Sequence, residues 1–314
     1  MDRNIIAVVV TYNRKDLLLE CLESISSQTM PVNKIVLIDN ASTDGTQSAV
    51  KEAGYMNDRL DYNRMSENTG GAGGFYFGIE KAMKMGGDWI WIMDDDTIPK
   101  QDCLERLFAS KERICSRIKT EEISFLASSI YGSNGEVMNV PIVSSQVEDN
   151  GYLRWYQMLD YGCVEIMYAT FVSLLFNGKA INKCGLPCKD YFIWGDDYEY
   201  TRRLTKFFGR AYMVGDSIAI HKRVNAKALD IRSEDNLNRV KLFRYFYRNN
   251  LINRRFYEGY YHPLKQLIKA IKEAASVLNN KHGFSKAKAI LKGNLEALTQ
   301  YKKFEKYILN EVKK

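Results

Sequence analysis

Three consecutive aspartates follow a short apolar segment in the first third of the chain. Asp94, Asp95 and Asp96 come directly after residues 89–93, which are apolar and have the length of a buried strand. Adjacent carboxylates repel one another, and burying them without partners is costly. Because strand side chains alternate, Asp94 and Asp96 point to one side and Asp95 to the other. Two oxygen ligands on one face suit Mg²⁺ or Mn²⁺, so the segment predicts a divalent metal site; the alternative is a solvated loop with a helix cap.

A second candidate segment is rich in glycine. Residues 68–74 include Gly70, Gly71 and Gly73 and lie between a predicted strand and a predicted helix. Glycine lets backbone N–H groups approach an anion, and the start of a helix adds positive potential. The spacing matches neither the dinucleotide fingerprint nor the P-loop. The segment therefore favours an anion site of another kind, with a tightly packed turn as the alternative.

A third segment places carboxylates beside aromatic side chains. Asp196, Asp197 and Glu199 follow Trp194 within a few residues. Such surroundings can raise a carboxyl pKa enough for general-base chemistry, and Trp194 offers a stacking face for a sugar. The alternative is that Asp196 and Asp197 cap the start of a helix that runs through Leu204.

Two further polar residues come directly after apolar runs. His221 follows residues 217–220 and is one of three histidines. Imidazole is a common metal ligand, although a single histidine is more often a packed or surface residue.

Asp39 lies at the end of the second predicted strand. One interpretation is that its carboxylate accepts hydrogen bonds from a nucleotide base or ribose. The alternative is that it is a turn residue.

The elements that must position these residues alternate between strand and helix over the first hundred residues. This alternation predicts an α/β fold with a mainly parallel sheet and helices on both faces. In such sheets ligands bind at the carboxyl ends of the strands, where the candidate residues lie. Residues 40–45 read as a turn with a helix cap. Strands are predicted at residues 5–10, 34–38, 60–65 and 88–93, and helices at residues 14–27 and 70–85, the latter with a glycine-rich loop at its start.

The rest of the chain divides into two parts of different character. Residues 120–220 mix strand-like runs with loops, and long helical patterns begin near residue 225. We therefore expect a catalytic domain over residues 1–225 and a helical, basic C-terminal region over residues 226–314.

Composition describes an ordinary globular protein. Hydrophobic residues make up 46% and charged residues 26% of the 314 positions. We find no apolar run of the roughly 18–20 residues that cross a bilayer and no signal-peptide cleavage pattern, so we expect a cytoplasmic protein. Six cysteines are scattered along the chain. Cys184 and Cys188 are the one close pair, and their spacing fits neither a thioredoxin-type motif nor a zinc site, which favours buried thiols.

The basic charge is concentrated in the C-terminal region. The net charge is +7, yet residues 251–314 alone hold 14 Lys and Arg against 5 Asp and Glu. An anionic membrane surface or a nucleic acid is the usual partner of such a segment. A helix with an apolar stripe among lysines can lie in a membrane interface, and the alternative is a bundle packed on the catalytic domain or on a second subunit. The stripe comprises Leu264, Leu267, Ile268 and Ile271, with Lys265, Lys269 and Lys272 between them and more lysines at Lys302, Lys303 and Lys306.

Taken together, these segments resemble the family-2 inverting glycosyltransferases of the GT-A fold. Residues 8–14 resemble the opening strand and loop of that family, residues 38–46 its nucleotide-contacting segment, and residues 94–96 its metal-binding acidic motif. The resemblance covers roughly residues 4–225. Bacterial galactofuranosyltransferases and the neighbouring rhamnosyltransferases are the most similar groups, through residues 68–75, 91–99, 192–198 and 247–250.

The resemblance implies a role for each candidate residue. Asp94, Asp96 and His221 would hold Mn²⁺ or Mg²⁺, and Asp197 would be the catalytic base. Galactofuranosyltransferases often have Trp directly before the Asp pair, whereas here Gly195 intervenes, which leaves Asp196 as an alternative base. Trp194 and Glu199 would face the sugar or acceptor. The nucleotide-sugar donor would be held by Thr11, Asn13, Arg14, Asp39, Asn68, Gly70, Gly71, Gly73, Asp94 and Asp95.

The implied substrates follow the same resemblance. UDP-galactofuranose is the first choice of donor, dTDP-rhamnose the second and a common UDP-hexopyranose the third. The acceptor would be a glycan, lipid-linked in bacterial cell-surface polysaccharide synthesis, and we expect the protein to lie on the inner face of the cell membrane. A homo-oligomer is compatible with the C-terminal helices.

Three other classes of protein fit the sequence less well. A processive polysaccharide synthase would need membrane-spanning helices and a Gln-x-x-Arg-Trp motif, but Gly151 stands at the Gln position before Arg154. A nucleotidyltransferase would open with a glycine-rich loop after its first strand, where this chain has residues 11–14. A non-catalytic nucleotide-binding or nucleic-acid-binding protein stays possible through the basic C-terminal region, although the acidic centre would repel a phosphate backbone, so we expect no nucleic-acid partner.

Overall fold

The computed structural model describes residues 3–119, 122–223, 228–259 and 262–313. Within these residues, eleven strands form one mixed sheet. The strands are β1 (Ile5–Thr11), β2 (Lys34–Asp39), β3 (Leu60–Arg64), β4 (Trp89–Asp94), β5 (Thr97–Pro99), β6 (Ile123–Tyr131), β7 (Val137–Met138), β8 (Ile142–Val143), β9 (Cys163–Tyr168), β10 (Leu174–Asn177) and β11 (Arg210–His221).

Helices alternate with the first strands and then dominate the C-terminal region. Two short 3₁₀ helices, Arg154–Tyr161 and Lys189–Tyr191, lie between strands and helices of the middle section. The α-helices are α1 (Lys15–Ser26), α2 (Thr46–Glu52), α3 (Gly70–Lys84), α4 (Cys103–Ile118), α5 (Gly178–Cys184), α6 (Asp196–Phe207), α7 (Leu237–Glu258), α8 (Pro263–Ser276) and α9 (Gly283–Lys313).

The strand order is β3-β2-β1-β4-β10-β6-β11-β9-β8, with β5 on β11 and β7 on β6. The pairs β3–β2, β2–β1, β1–β4 and β6–β11 are parallel. Strand β10 enters antiparallel between β4 and β6. The predicted α/β fold with a mainly parallel core is therefore confirmed, and the sequence did not predict the antiparallel strands of the middle section.

Helices cover both faces of the sheet, which explains why β1 reads as an unbroken apolar run rather than an alternating one. Ile5, Ala7 and Val9 pack in one buried cluster with α1 and α4. Ile6 and Val8 pack in the other with α3, α5 and α6. The central strands thus form the middle layer of a three-layer core, and their carboxyl ends are the parts that the helices on the two faces do not cover.

The glycine-rich segment proves to be helical rather than a loop, because α3 begins at Gly70. A Cβ on Gly74 would lie 2.5 Å from the Val10 side chain, and one on Gly78 would lie 2.3 Å from the Val8 side chain. These two glycines allow α3 to approach β1 closely, which brings the start of the helix to the end of the strand.

The three C-terminal helices pack on one another and on the rest of the molecule. Buried residues of α7 and α9, among them Ile252 and Phe304, share a cluster with Tyr191 and with Ala72 of α3. The predicted domain boundary near residue 225 lies outside the described residues, so the division into two domains stays a prediction. Among the described residues, none of the helices is long and apolar enough to cross a membrane.

Candidate active site

The carboxyl ends of three parallel strands meet at one edge of the sheet. Thr11 of β1 is paired with Asp39 of β2, and Val10 is paired with Asp94 of β4. The candidate residues that follow these strands therefore lie close together, as the parallel arrangement predicts.

Asp94, Asp96 and His221 form a cluster that is suited to a metal ion. One ligand atom from each lies within 4.8 Å of the other two. Strand β11 pairs with β5 so that His221 is opposite Thr97, which brings the histidine beside Asp96 although the two are distant in sequence. His221 Nε2 lies 3.0 Å from Asp96 Oδ1.

The hydrogen bonds around His221 show why a cation fits there. His221 Nδ1 lies 2.8 Å from Asn139 Oδ1, while the Asn139 amide nitrogen donates to Thr170. Asn139 Oδ1 is an acceptor, so Nδ1 carries a proton, and Nε2 is the ring nitrogen that faces Asp96. Asp96 Oδ1 is buried, and among the described residues His221 Nε2 is the polar atom paired with it. A ring nitrogen and a carboxylate oxygen at this distance, with the histidine held by an outer partner, suit two ligands of one metal ion.

Charge and burial set the protonation of the three aspartates. Burial, then the charges of Asp96 and Asp95, raise the pKa of Asp94 well above its ordinary value. Burial also raises the pKa of Asp95 to about 6, against the opposing effect of Arg14. For Asp96, burial is outweighed by His221 and Arg14, and its pKa is lowered. Arg14 lies against this acidic group, and the charges of Asp94 and Asp96 also act on Arg223.

Asp95 is not part of the cluster, and it lies with Asp96 in the turn between β4 and β5 rather than on a strand, so strand alternation does not apply to it. Its Oδ2 accepts hydrogen bonds from Thr11 Oγ1 at 2.7 Å and from the Tyr12 backbone N–H at 3.3 Å. Arg14 lies 3.4 Å from Asp95 and also pairs with Asp96. Its side chain is 46% exposed. This ion pair was not predicted, and contact of Arg14 with a nucleotide-sugar donor stays a prediction.

The predicted nucleotide contacts on β2 and α3 organise the loops around the site. Asp39 is buried and accepts hydrogen bonds from the Ser42 N–H at 2.7 Å and from the Tyr62 hydroxyl. Asn68 Oδ1 accepts from the Gly70 N–H at 2.8 Å, and Asn13 Oδ1 accepts from the Thr43 N–H at 2.7 Å. These contacts fit the alternative role of turn residues, and contact of the three side chains with a nucleotide stays a prediction.

The three predicted glycines differ in their surroundings. Gly70 has φ +73°, and a Cβ there would lie 2.0 Å from the Phe192 carbonyl oxygen. A Cβ on Gly73 would lie 2.3 Å from the Thr69 hydroxyl, whereas one on Gly71 would meet open space. The Ala72 N–H already donates to the Phe192 carbonyl over 3.1 Å. Close packing thus explains Gly70 and Gly73, and Gly71 is the position at which a ligand has room.

Asp196 and Asp197 form the first turn of α6, whose cap is Gly195. Burial raises the pKa of both carboxyls, and for Asp196 the charge of Asp197 adds to the rise. The N–H groups of Gly195 and Tyr198 donate to Asp197 Oδ1 over 3.2 and 2.7 Å and counteract it. The charge of Asp196 also raises the pKa of Asp94, so the two acidic groups lie close enough to interact.

The two predicted sugar contacts are placed differently. Trp194 is half-buried, and its ring lies 5.1 Å from that of Phe243, so one side of it is covered by α7. Glu199 is fully buried and makes a two-point ion pair with Arg203 at 3.0 and 2.6 Å, and Tyr257 donates to it as well. A carboxylate so completely paired inside the core has no oxygen free for a substrate, so this position does not support the predicted contact of Glu199 with a sugar.

The structure adds residues that sequence patterns did not indicate. Asn139 orients His221, while Arg248, Asn249 and Asn253 contact the segment before α6. The only signal for Arg248 and Asn249 was the resemblance of residues 247–250 to a segment of galactofuranosyltransferases, and no sequence pattern indicated Asn253. Cys184 and Cys188 are buried free thiols, as predicted.

Comparison with known proteins agrees with this geometry. Residues 6–118 match the family model described as glycosyl transferase family 2. The galactofuranosyltransferase GlfT1 of Mycobacterium tuberculosis is 29% identical over 209 residues, which are 66% of this chain and 66% of that protein. The chain therefore spans just under two thirds of the length of that relative.

Two solved structures resemble the whole chain. TarS residues 1–349 of S. aureus in complex with UDP gives a TM-score of 0.52 at 13% identity, over 97% of this chain and 92% of that one. GalNAc-T7 with UDP, GalNAc and Mn²⁺ gives 0.59 at 14% identity, over 97% and 57%. At these identities the likeness concerns the fold alone, and it confirms the predicted GT-A fold. In its matching segment, residues 6–118, and in its fold, the chain is similar to the glycosyl transferases of family 2.

Proposed function

We propose that the protein is an inverting, metal-dependent glycosyltransferase that moves a sugar from a nucleotide-diphosphate donor to a hydroxyl of a glycan. The observation that carries this proposal is the cluster of Asp94, Asp96 and His221, with Asp196 near enough to act electrostatically on Asp94 and Asp197 next to it in the first turn of α6. A metal site for a diphosphate and a carboxylate for an acceptor then share one edge of the sheet.

Asp94, Asp96 and His221 are the residues that would hold Mn²⁺ or Mg²⁺. When bound, the ion supplies positive charge that stabilises the diphosphate as it leaves. Arg14 is a half-exposed cation that pairs with Asp96, and we assign it to the same diphosphate when a bound metal takes over the contact with Asp96. Asn139 keeps the His221 ring oriented for ligation.

Asp197 is the better of the two candidate bases. A base must be ionised before it can accept a proton, and two backbone N–H groups together with the start of α6 stabilise the ionised form of Asp197. Asp196 is buried beside that charge, which favours its protonated form. In a single displacement, Asp197 takes the proton of the acceptor hydroxyl, and the hydroxyl oxygen bonds to C1 of the sugar. The bond from C1 to the diphosphate oxygen breaks at the same time, with inversion at C1.

UDP-galactofuranose is the donor we propose first, since galactofuranosyltransferases are among the relatives. dTDP-rhamnose is second and a common UDP-hexopyranose third. We expect release of the nucleotide diphosphate to be fastest from UDP-galactofuranose when the three donors are compared with Mn²⁺ present and water as the acceptor. Faster release from another donor would show that galactofuranose is the wrong choice of sugar. No release from any donor, combined with tight UDP binding in calorimetry, would favour a non-catalytic nucleotide-binding protein instead.

We also propose that α8 and α9 bind an anionic lipid surface, on which a lipid-linked acceptor would be presented. The predicted apolar stripe of α8 is solvent-exposed: Leu267 is 48% and Ile271 52% exposed. Helix α9 has a stripe of its own, in which Leu291 is 42% and Leu295 62% exposed.

The geometry of the helix pair supports one joint surface. Gln266 of α8 donates to Asn294 of α9 over 2.9 Å, and a short connection makes the helices antiparallel. Leu267 follows Gln266 and Leu295 follows Asn294, and each successive side chain of an α-helix is rotated by about 100° around the helix axis. Because the two helices run in opposite directions, these two rotations turn both leucines toward the same side of the helix pair. Leu267 and Leu295 therefore lie on one face. An apolar face flanked by lysines is typical of a helix pair in a membrane interface.

A double variant tests the lipid surface. Leu267→Glu with Leu295→Glu should abolish flotation with anionic liposomes, because it places charge on the apolar face. The matched control is Val143→Glu with Leu159→Glu, two exposed apolar residues of the catalytic part, which should float as the unchanged protein does. Equal flotation of both pairs, or none by the unchanged protein, would contradict the lipid surface. A dimer in solution that the first pair dissociates would assign the face to a second subunit.

A further inference from the structure

The segment between Tyr191 and α6 has an unusual backbone. Phe192 has φ +66°, Trp194 φ +59° and Gly195 φ +96°. Non-glycine residues rarely adopt this left-handed region, and they stay there only where surrounding contacts determine the conformation. The segment leads directly into Asp196 and Asp197, so its conformation decides where these two carboxyls lie.

One face of α7 binds the carbonyl groups of this segment. The Asn249 side-chain amide donates to the carbonyls of Tyr191 at 3.0 Å, Ile193 at 3.0 Å and Trp194 at 2.7 Å. Asn249 is fully buried, and its own oxygen accepts from Arg248 Nε at 2.8 Å. The amide nitrogen of Asn249 carries two hydrogens, so the three carbonyl oxygens can accept from it only if all of them lie close to this nitrogen.

Two neighbours of Asn249 complete the contact. Asn253 lies one helical turn further on, is fully buried, and donates to the Gly195 carbonyl over 2.7 Å. Arg248 donates to the carbonyls of Asp190 and Tyr191 at 2.8 and 3.1 Å. Every carbonyl group of residues 190–195 except that of Phe192 therefore has a donor on α7, and we call these three side chains the α7 clamp.

The opposite side of the segment contacts the donor half of the site. The Phe192 carbonyl accepts from the Ala72 N–H at the start of α3 over 3.1 Å. Gly70, on the same turn, has no room for a Cβ because of that carbonyl. A single strained segment thus lies between the start of α3, where we place the donor, and the start of α6, where we place the base.

We propose that the α7 clamp, and Asn249 above all, positions the catalytic carboxylate relative to the donor. This inference rests on the proposed function and assigns Asn249 as a positioning residue, which acts through the segment 191–195 and need not touch substrate. Reactions of this kind lose about 10²-fold in rate when a reacting group is misplaced by about 1 Å.

The test compares two matched alanine variants. Asn249→Ala should lower the turnover number for UDP release from UDP-galactofuranose by about 10²-fold, while the dissociation constant for UDP measured by calorimetry stays unchanged. Asn250→Ala, the same change at the next residue, should keep both values. If Asn249 merely stabilised the fold, its replacement would lower the melting temperature and the fraction of active protein. Turnover and UDP binding would then fall together.

Two more variants keep the test decisive if Asn249→Ala folds poorly. Asn249→Asp keeps the shape but replaces the donating group with an oxygen, and it should lose turnover similarly. Asn253→Ala removes one carbonyl contact and should lose less. Wild-type turnover in any of the Asn249 variants that melts cooperatively would overturn the proposal.

Amide hydrogen exchange makes this test independent of the proposed reaction. Measured without donor or acceptor, exchange over residues 190–197 should be faster in Asn249→Ala than in Asn250→Ala. Faster exchange with no turnover in the unchanged protein would confirm the clamp and refute the enzyme assignment. Equal exchange in the two variants would refute the clamp itself.

Discussion

Asp197→Asn is expected to lower the rate of UDP release from UDP-galactofuranose by about 10²–10⁴-fold, the usual contribution of a general base. The amide has nearly the same shape as the carboxylate but cannot accept the acceptor's proton. Binding of UDP, measured by calorimetry, should be preserved, because Asp197 is placed on the acceptor side of the site. A variant that kept near-normal turnover would show that Asp197 is not the base.

Asp196→Asn separates the two candidates. Asp196 is buried and its pKa is raised by burial and by Asp197, so we expect it to be protonated near neutral pH and its replacement to cost much less than that of Asp197. A larger loss in Asp196→Asn would exchange the two roles. Asp190→Asn, at an exposed residue that pairs with Lys303, is the control for the same substitution at an aspartate that is not a candidate base.

The pH dependence of turnover should report the same carboxylate. Burial raises the pKa of Asp197 above its ordinary value, which is near 4 for Asp. The base works only when ionised, so turnover should rise with pH through a pKa that lies above about 4. A profile of turnover against pH with no acidic limb above that value would contradict the assignment.

Asp96→Asn and His221→Asn should each remove most metal-dependent turnover. A metal ion stabilises the leaving charge by several kcal/mol, and a loss of about 4 kcal/mol corresponds to about 10³-fold in rate, since about 1.4 kcal/mol is tenfold. Asp96 is one of the three clustered ligands, and His221 faces it across 3.0 Å. Calorimetric titration with Mn²⁺ should show weaker binding in both variants.

The control for the metal variants is Asp102→Asn, at the exposed residue that precedes α4 and pairs with Arg106. This substitution removes one carboxylate that is not part of the cluster, so the variant should bind Mn²⁺ as the unchanged protein does. Equal Mn²⁺ affinity in Asp96→Asn and in the control would show that the cluster does not hold the ion.

Local patterns were sufficient to predict most elements of the first hundred residues. The apolar runs that became β1, β2 and β4 are buried on both faces, and each ends at a polar residue of the site. A parallel sheet then forces Thr11, Asp39 and Asp94 to one edge, so their proximity follows from the strand pattern alone.

Contacts between distant parts of the chain were beyond the reach of these patterns. His221 comes to Asp96 because β11 pairs with β5, and a twelve-residue strand with irregular register carries no signal of that partner. Glu199 looked like a site residue because it follows two aspartates, yet the helical period turns it inward to Arg203. The contacts of Asn249 also depend on how α7 packs, which its own sequence does not determine.

The most direct test of the central claim is the rate of UDP release from UDP-galactofuranose by the unchanged protein, before and after its metal is removed with EDTA. The site of Asp94, Asp96 and His221 predicts that release stops in EDTA and returns when Mn²⁺ or Mg²⁺ is added in excess. Release that continues at the same rate in EDTA would contradict a metal-dependent transfer at this site.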